Sequence, residues 1–210
     1  MGRNDFDFKR TKEVLKAGGV VMHATETCYG LAADIFNQNA VKKVYRIKKM
    51  RADKPVSIMV RGIGEARKYA KFNPAALKLA KEYWPGPLTL VLPRKKALPG
   101  FLNKNHDTVG IRCPDSKIAR ALIRASGGPL VTTSANISGK KEVYEVGDYL
   151  VQIRGQRAGN RPDLIIDEGP IGKNPPSTII GFENGSIKMI REGRLWGKIL
   201  KKYGRRADRA

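Results

Sequence analysis

Hydrogen-bonding and cationic side chains recur in this sequence at points where apolar, strand-like runs end. They are Thr25 with Thr27, residues 48–54, Thr108 with Arg112, residues 132–136, and Ser177 with Thr178. Groups of this kind bind phosphates and small zwitterions. They suit a reaction that depends on positioning and charge neutralisation, without a nucleophile supplied by the protein. Phosphoryl or nucleotidyl transfer has these requirements.

Motifs for several other chemistries are missing from the sequence. There is no G-x-x-x-x-G-K-[ST] phosphate loop, no nucleophile elbow, and no third glycine after Gly62 and Gly64 to complete a dinucleotide fingerprint. His23 or His106 could act as a base, but an isolated histidine is more often a packing or surface residue. The acidic residues in these regions are scattered and suggest no paired acid/base site: Glu26, Asp34, Asp53 and Asp107.

The two cysteines, Cys28 and Cys113, have no zinc-binding spacing and form no disulfide framework, so we expect buried free thiols.

The first ten residues are charged and lack the apolar segment of a signal peptide. No apolar run approaches the roughly 20 residues that a membrane span needs. A cytoplasmic protein without a membrane partner is the expectation.

The chain is strongly basic. Its 210 residues contain 41 Lys and Arg against 19 Asp and Glu, a formal net charge of +22. Like charges repel one another in a folded protein, so an excess of this size favours a polyanionic partner such as nucleic acid. A solvated basic surface or a basic proteome is the alternative explanation.

Hydrophobic periodicity and caps predict the elements that must position these side chains. Helices are expected over residues 9–17, 39–50, 65–71, 74–84, 117–126 and 146–154, with Asn39 and Asn73 as caps. Strands are expected over residues 20–22, 56–60, 88–92, 109–113, 130–133, 164–167, 177–180 and 187–190. Helices alternate with strands early and strands cluster late, which predicts an α/β fold with a mixed parallel and antiparallel sheet.

Six sequence motifs, in order, resemble those of the YrdC-like threonylcarbamoyl-AMP synthase family, in its short form without an additional C-terminal domain. They are ATETCYGLAAD at 24–34, WPGPLT at 84–89, VGIR at 109–112, TSANISG at 133–139, PSTII at 176–180 and IREG at 190–193. The resemblance implies a twisted mixed sheet flanked by helices, with an open basic concave face. It also implies a domain over residues 1–195, followed at 196–210 by a basic tail that is either mobile or a lone helix.

The resemblance implies a nucleotidyltransferase. L-threonine, bicarbonate or carbon dioxide, and ATP would give threonylcarbamoyl-AMP and pyrophosphate, with Mg²⁺ carried by the phosphates and no metal ligand from the protein. The product would serve the t6A modification of tRNA, so tRNA and the proteins of the transfer machinery are the implied partners. The implied threonine-binding residues are Thr27, Arg112 and Thr178. The implied ATP-binding residues are Lys48, Lys49, Arg51, Lys54, Thr108, Thr132, Ser134, Asn136 and Arg191. By contrast, we expect Thr89 and the neighbouring 84–87 segment to shape a turn only.

The sequence departs from the family pattern at three places. Ala24 replaces a proline, Met59 stands where many members have a histidine, and Met50 falls where the K-x-R motif has its arginine. A one-residue slip would give that role to Arg51, with Lys48 or Lys49 beside it. These departures leave open a second hypothesis, a non-catalytic RNA-binding protein of the same fold that binds double-stranded RNA, tRNA or ribosomal RNA. The net charge and the basic helix predicted after Asn39 favour it.

Overall fold

The computed structural model describes residues 7–183, 185–204 and 207–209. Its helices are α1 Phe8–Lys16, α2 Gln38–Lys48, α3 Ile63–Tyr69, α4 Pro74–Tyr83, α5 Lys117–Ser126, α6 Val146–Gln152 and α7 Trp196–Tyr203, with a 3₁₀ turn at Ala158–Asn160. Its strands are β1 Val21–Ala24, β2 Tyr29–Asp34, β3 Ser57–Met59, β4 Leu88–Pro93, β5 Thr108–Arg112, β6 Leu130–Ser134, β7 Leu164–Ile165, β8 Thr178–Glu183, β9 Ser186–Arg191 and β10 Ala207–Arg209.

The strands form one mixed sheet in the order β10-β9-β8-β4-β5-β3-β6-β2-β1-β7. Four neighbouring pairs are parallel, namely β1 with β7, β3 with β5, β4 with β8, and β9 with β10. The other five pairs are antiparallel. The predicted α/β class with a mixed sheet is therefore confirmed.

The sequence analysis missed strand β2. Tyr29–Asp34 pairs antiparallel with β1 on one side and with β6 on the other. Its sequence, YGLAAD, contains glycine, alanine and aspartate, which are depleted in strands. The strand is nonetheless buried, because it lies between two other strands and its small residues allow close packing. The buried run over residues 20–22, which we expected to end in a polar turn, is therefore part of the first strand of a β-hairpin formed by β1 and β2.

Local hydrogen bonds explain where the helices begin. Asn73 caps α4 as predicted, and its side chain accepts a hydrogen bond from the Ala76 N–H at 2.7 Å. The predicted cap of α2 was wrong by two residues. Asn37, in extended conformation, accepts from the Ala40 N–H at 3.0 Å, and Asn39 lies inside the helix.

The two faces of the sheet have separate cores. The larger core, on the face covered by α2 and α4, contains Leu31, Ile58 and Leu90. The smaller core lies on the other face, where α1 and α5 pack over Met59 and Leu130. Successive side chains of a strand alternate between the two faces. Ser57 therefore lies on the same face as Met59, and Thr132 and Ser134 lie on the same face as Leu130.

Helix α7 lies within the segment predicted to be a basic tail or a lone helix. Trp196 and Ile199 are buried in the larger core. On its outer side, Lys202 and Tyr203 both contact the Glu82 carboxylate of α4 at 2.7 Å. The helix is therefore packed against the rest of the fold.

None of the helices in the described part of the chain is long and apolar enough to cross a membrane.

Candidate active site

A polar cavity lies on the sheet face that α1 and α5 cover only at one end. Its empty volume, including the open solvent at its mouth, is about 1040 Å³. Strand register explains its floor, because Ser57 pairs with Thr132 on one side and with Gly110 on the other. Thr89 pairs with Arg112, which continues the row. The side chains that line the cavity therefore come from adjacent strands of one sheet face.

Gly110 keeps this row open. A Cβ atom at this position would collide with the hydroxyl of Ser57 and would lie 3.4 Å from the Thr89 methyl group. The glycine of the VGIR motif thus leaves room for two hydroxyl side chains in the cavity floor.

The turn between β1 and β2 forms one corner of the cavity. The Thr25 hydroxyl donates to the Cys28 carbonyl at 2.7 Å and accepts from the backbone N–H groups of Thr27 and Cys28 at 3.2 Å. The Thr25 and Thr27 hydroxyl oxygens lie 3.0 Å apart. These hydrogen bonds fix the turn, and they hold Thr27, a residue that is 2% exposed, in the cavity wall.

Arg112 lies beside this corner. Its Nη2 donates to Glu26 Oε1 at 2.7 Å and to Thr27 Oγ1 at 3.3 Å. Its buried Nε has no hydrogen-bond partner among the described residues. A guanidinium with an uncommitted donor, next to a fixed hydroxyl, has the chemistry to bind a carboxylate. The structure thus brings together Thr27 and Arg112, two of the three residues expected to bind threonine.

Lys48, at the end of α2, is a buried cation in the opposite wall. Its Nζ donates to the carbonyl of Ser134 and, at 2.8 Å, to that of Asn136. Burial lowers the pKa of Lys48 to about 8. Lys48, Ser134 and Asn136, all expected to bind ATP, therefore form one hydrogen-bonded unit.

Asn136 is fixed within that unit by its amide nitrogen, which donates to the carbonyls of Ile137 and Lys140. Its buried Oδ1 accepts no hydrogen bond from the described part of the protein. This leaves a hard oxygen donor close to the cationic wall.

Arg191 forms the third side of the cavity, at the end of β9. Its Nε and Nη2 donate to the Ser177 carbonyl at 3.2 and 2.8 Å, and Nη2 also donates to the Ser177 hydroxyl at 2.9 Å. That hydroxyl lies 3.1 Å from Thr89 Oγ1. Thr89, which was expected to have only a structural role, is therefore part of the cavity wall.

Eight of the twelve predicted site residues line the cavity: Thr27, Lys48, Lys54, Arg112, Thr132, Ser134, Asn136 and Arg191. The other four do not. Thr178 is fully buried and its hydroxyl accepts from the Leu195 N–H at 2.9 Å, while Thr108 is exposed at the far end of β5.

Lys49 and Arg51 lie on the exposed side of the segment after α2. Lys49 ends the helix in a left-handed conformation. Arg51 forms an exposed ion pair with Asp53 at 2.6 Å, and Met50 lines the cavity between them. The arginine proposed for the K-x-R motif therefore points to solvent in this conformation.

Sequence reasoning missed several residues in and around the cavity. Ser57, Ser138 and Glu142 line it, and Glu26 supports Arg112 from behind. Ser57 belongs to none of the six motifs, so only the pairing of its strand could have placed it in the cavity. Glu26 lies within the 24–34 motif, but the sequence analysis assigned it no role in the site.

The two histidines lie outside the cavity lining. His23 is fully buried, and desolvation lowers its pKa to about 4, so its ring is neutral at pH 7. His106 contacts the Asp53 carbonyl through Nε2 at 2.8 Å. Cys28 does line the cavity, but burial raises the pKa of its thiol, which favours the unreactive protonated form.

Within the described residues, no group of three or more His, Cys, Asp or Glu side chains is placed to hold a metal ion.

The mixed sheet, with its cavity of hydroxyls and cations on one face, defines a YrdC-like α/β protein. The sequence model of the Sua5/YciO/YrdC family, described as "Telomere recombination", matches residues 13–193. The chain belongs to this family.

Two relatives illustrate the similarity. A protein of Methanocaldococcus jannaschii, provisionally named threonylcarbamoyl-AMP synthase, is 41% identical over 194 residues, which cover 90% of this chain and 89% of that protein. The threonylcarbamoyl-AMP synthase of Bacillus subtilis is 35% identical over 195 residues, which cover 92% of this chain but only 55% of that enzyme.

Solved structures are also similar. The crystal structure of Pyrococcus abyssi Sua5 in complex with L-threonine has a TM-score of 0.85 at 34% identity, and the match covers 96% of this chain and 58% of Sua5. The crystal structure of Escherichia coli YciO has a TM-score of 0.78 at 27% identity, and covers 90% of this chain and 91% of YciO. The predicted family and fold are therefore confirmed, whereas the basic concave face stays a prediction.

Proposed function

We propose that this protein is an L-threonylcarbamoyladenylate synthase, a nucleotidyltransferase acting in the cytoplasm on L-threonine, bicarbonate or carbon dioxide, and ATP. One observation carries the proposal: a single cavity combines a carboxylate-binding corner with a cationic wall. Arg112 and Thr27 form the corner, and Lys48, Lys54 and Arg191 supply the cations. The names of the relatives, and the threonine bound by the similar Sua5 structure, support the same assignment.

The residues of the cavity would act by holding substrates and balancing charge. Arg112 and Thr27 would bind the threonine carboxylate, so that the amine faces the cavity. The threonine ammonium would lose a proton to solvent, and the amine would form a C–N bond to carbon dioxide and release a second proton, which gives a carbamate; bicarbonate would supply the carbon dioxide by losing hydroxide. A carbamate oxygen would then form a bond to the α-phosphorus as the bond to pyrophosphate breaks. Lys48, Lys54 and Arg191 would stabilise the charge that moves onto pyrophosphate.

The available oxygen donors fit Mg²⁺ bound together with the triphosphate. The unpartnered Oδ1 of Asn136 and the carboxylate of Glu142 are hard ligands of the type that Mg²⁺ prefers, and the phosphates would complete the coordination. The ion would neutralise charge on the phosphates when bound. Thr132 and Ser134 remain proposed nucleotide contacts. Contact by Lys49, Arg51, Thr108 or Thr178 would need conformations other than those described.

Pyrophosphate release tests the proposal. Wild-type protein with Mg²⁺ and ATP should release pyrophosphate only when both L-threonine and bicarbonate are present. Arg112→Ala should lower the rate roughly 100-fold or more, because a buried charge-assisted contact is lost. Arg61→Ala, which removes a half-exposed arginine that pairs with Glu65 outside the cavity lining, is the matched control and should keep full activity. Release of pyrophosphate that is independent of threonine would contradict the assignment.

A second candidate function is RNA binding without catalysis. The net charge of +22, the exposed Lys42 and Arg46 of α2, and the exposed Lys49 directly after it favour this function. In addition, YciO, which matches over most of its length, is a relative without a named activity. Binding of tRNA or double-stranded RNA should then weaken steeply as salt rises, because counterions are released on binding. An affinity that is independent of salt would exclude it. If the protein both makes threonylcarbamoyl-AMP and binds RNA, tRNA and the proteins that transfer the threonylcarbamoyl group are the proposed partners.

A further inference from the structure

The cavity must distinguish two kinds of anion. A triphosphate would bind along the cationic wall, and an amino-acid carboxylate would bind at Arg112. An unpaired arginine binds phosphate as readily as it binds a carboxylate. Something near Arg112 must therefore disfavour the polyanion at this corner.

Glu26 has the position and the charge to do so. Its Oε1 accepts from Arg112 Nη2 at 2.7 Å, and the two side chains are only 15% and 9% exposed. The same oxygen accepts from the Asp115 N–H at 3.2 Å. At this low exposure the ion pair is weakly screened, so the carboxylate offsets the charge of Arg112 at short range.

The backbone of Glu26 is also held in place. Its carbonyl accepts from the Asn174 side chain at 3.2 Å, and it lies inside the hydrogen-bonded turn that Thr25 organises. Glu26 Oε2 is buried without a hydrogen-bond partner in the described structure, so Arg112 and the Asp115 N–H are the groups that hold this carboxylate, both through Oε1. The carboxylate is absent from the cavity lining and would act through Arg112.

We propose that Glu26 is a positioning and specificity-determining residue, which orients the Arg112 guanidinium and makes its corner selective for a zwitterionic amino acid over phosphates. The inference rests on the proposed function. A zwitterion suits this paired corner, since it brings one carboxylate to the free Nε of Arg112 and adds no net negative charge beside Glu26. A polyanion there would be repelled by Glu26.

Calorimetric titration of L-threonine in the absence of ATP tests this inference. For the wild type, inorganic pyrophosphate should change the threonine affinity less than about twofold, because pyrophosphate binds along the cationic wall. For Glu26→Gln, threonine should bind about tenfold more weakly or worse, since the orienting charge is lost, and pyrophosphate should now compete with it. A merely structural role for Glu26 would not create that competition.

Two further variants complete the test. Glu82→Gln removes an acid from an exposed ion pair with Lys202, outside the cavity, and should behave like the wild type. Glu26→Asp keeps the charge with a shorter reach, so it should bind threonine more weakly but still exclude pyrophosphate. It also provides the test if Glu26→Gln does not fold.

The outcomes separate the two proposals. If the wild type binds threonine and Glu26→Gln binds it equally well without competition from pyrophosphate, the role of Glu26 is refuted and the proposed function stands. A wild type that binds no threonine would refute both. For Glu26→Asp, a threonine affinity equal to that of the wild type, or competition by pyrophosphate, would overturn the inference.

Discussion

Lys48 should make nucleotide binding depend on pH. The side chain is 4% exposed, and burial lowers its pKa to about 8 from the ordinary value of 10.5. That difference corresponds to about 3 kcal/mol in favour of the neutral amine. Phosphates bound nearby would favour the ammonium form and raise the pKa again. The affinity for a nucleotide should therefore be full below pH 8 and fall as pH rises through 8, by up to about tenfold per pH unit.

Calorimetric titration with a non-hydrolysable ATP analogue and Mg²⁺ between pH 7.5 and 9.5 measures this dependence directly. Proton uptake on binding, obtained from buffers of different ionisation enthalpy, should peak between pH 8 and 9. Lys48→Met should weaken binding at pH 7.5 and abolish the decrease above pH 8. Lys54→Met, which removes an exposed cation from the same cavity, should weaken binding but keep the decrease. A wild-type affinity that stays constant over this range would refute the reasoning.

Three further predictions concern stability, measured by urea unfolding. His23 has a folded pKa of about 4 against 6.5 when unfolded, so as pH falls the unfolded chain takes up a proton first and stability is lost. Between pH 7.5 and 5 this amounts to about 2 kcal/mol, which His23→Asn should remove; an unchanged pH dependence would contradict it. Gly110→Ala should cost about 1–3 kcal/mol through its collision with Ser57, and Ser57→Gly should restore most of the loss. Trp196→Ala should cost about 3–5 kcal/mol because this side chain is 2% exposed, whereas a cost below 1 kcal/mol would mean that α7 is not part of the core.

Helices with clear end signals could be predicted closely from the sequence. The α5 helix has the predicted bounds, because Ser116 caps its start and Gly127 adopts a left-handed conformation at its end. The α2 helix shows the limit of this approach. Asn37 and Asn39 both have a suitable side chain, and only the backbone conformation decides which of them caps the helix.

The strand β2 could not be predicted in the same way. Its alanine and glycine residues have weak strand propensity, and the strand forms because β1 and β6 offer hydrogen bonds on both sides. Long-range pairing of this type leaves no local signal. The missed cavity residue Ser57 has the same cause, since its place in the cavity floor depends on its register with Thr132 and Gly110.

The segment after α2 shows why a motif match does not fix geometry. Spacing along the sequence predicted that Arg51 would bind ATP, with Lys48 or Lys49 beside it, and did not distinguish which of these side chains face the cavity. In the structure α2 ends at Lys48, which is buried in the wall, and Lys49 follows in a left-handed conformation, while Arg51 is paired with Asp53 at the surface. The position at which the helix ends therefore determines which of these cations lines the cavity.

Three of the cations in the cavity wall share one design. Lys48 donates to backbone carbonyls at and just after the end of β6, Arg191 donates to Ser177, and Arg112 donates to Glu26 and Thr27. Each is held by oxygen atoms of the protein before any substrate arrives, so little side-chain entropy remains to be lost on binding. Transition-state charge is stabilised best by groups that need no reorganisation during the reaction. A site without a nucleophile of its own depends on this preorganisation. The residues that hold the cations, such as Glu26 and Ser177, should therefore matter to activity as much as the cations themselves.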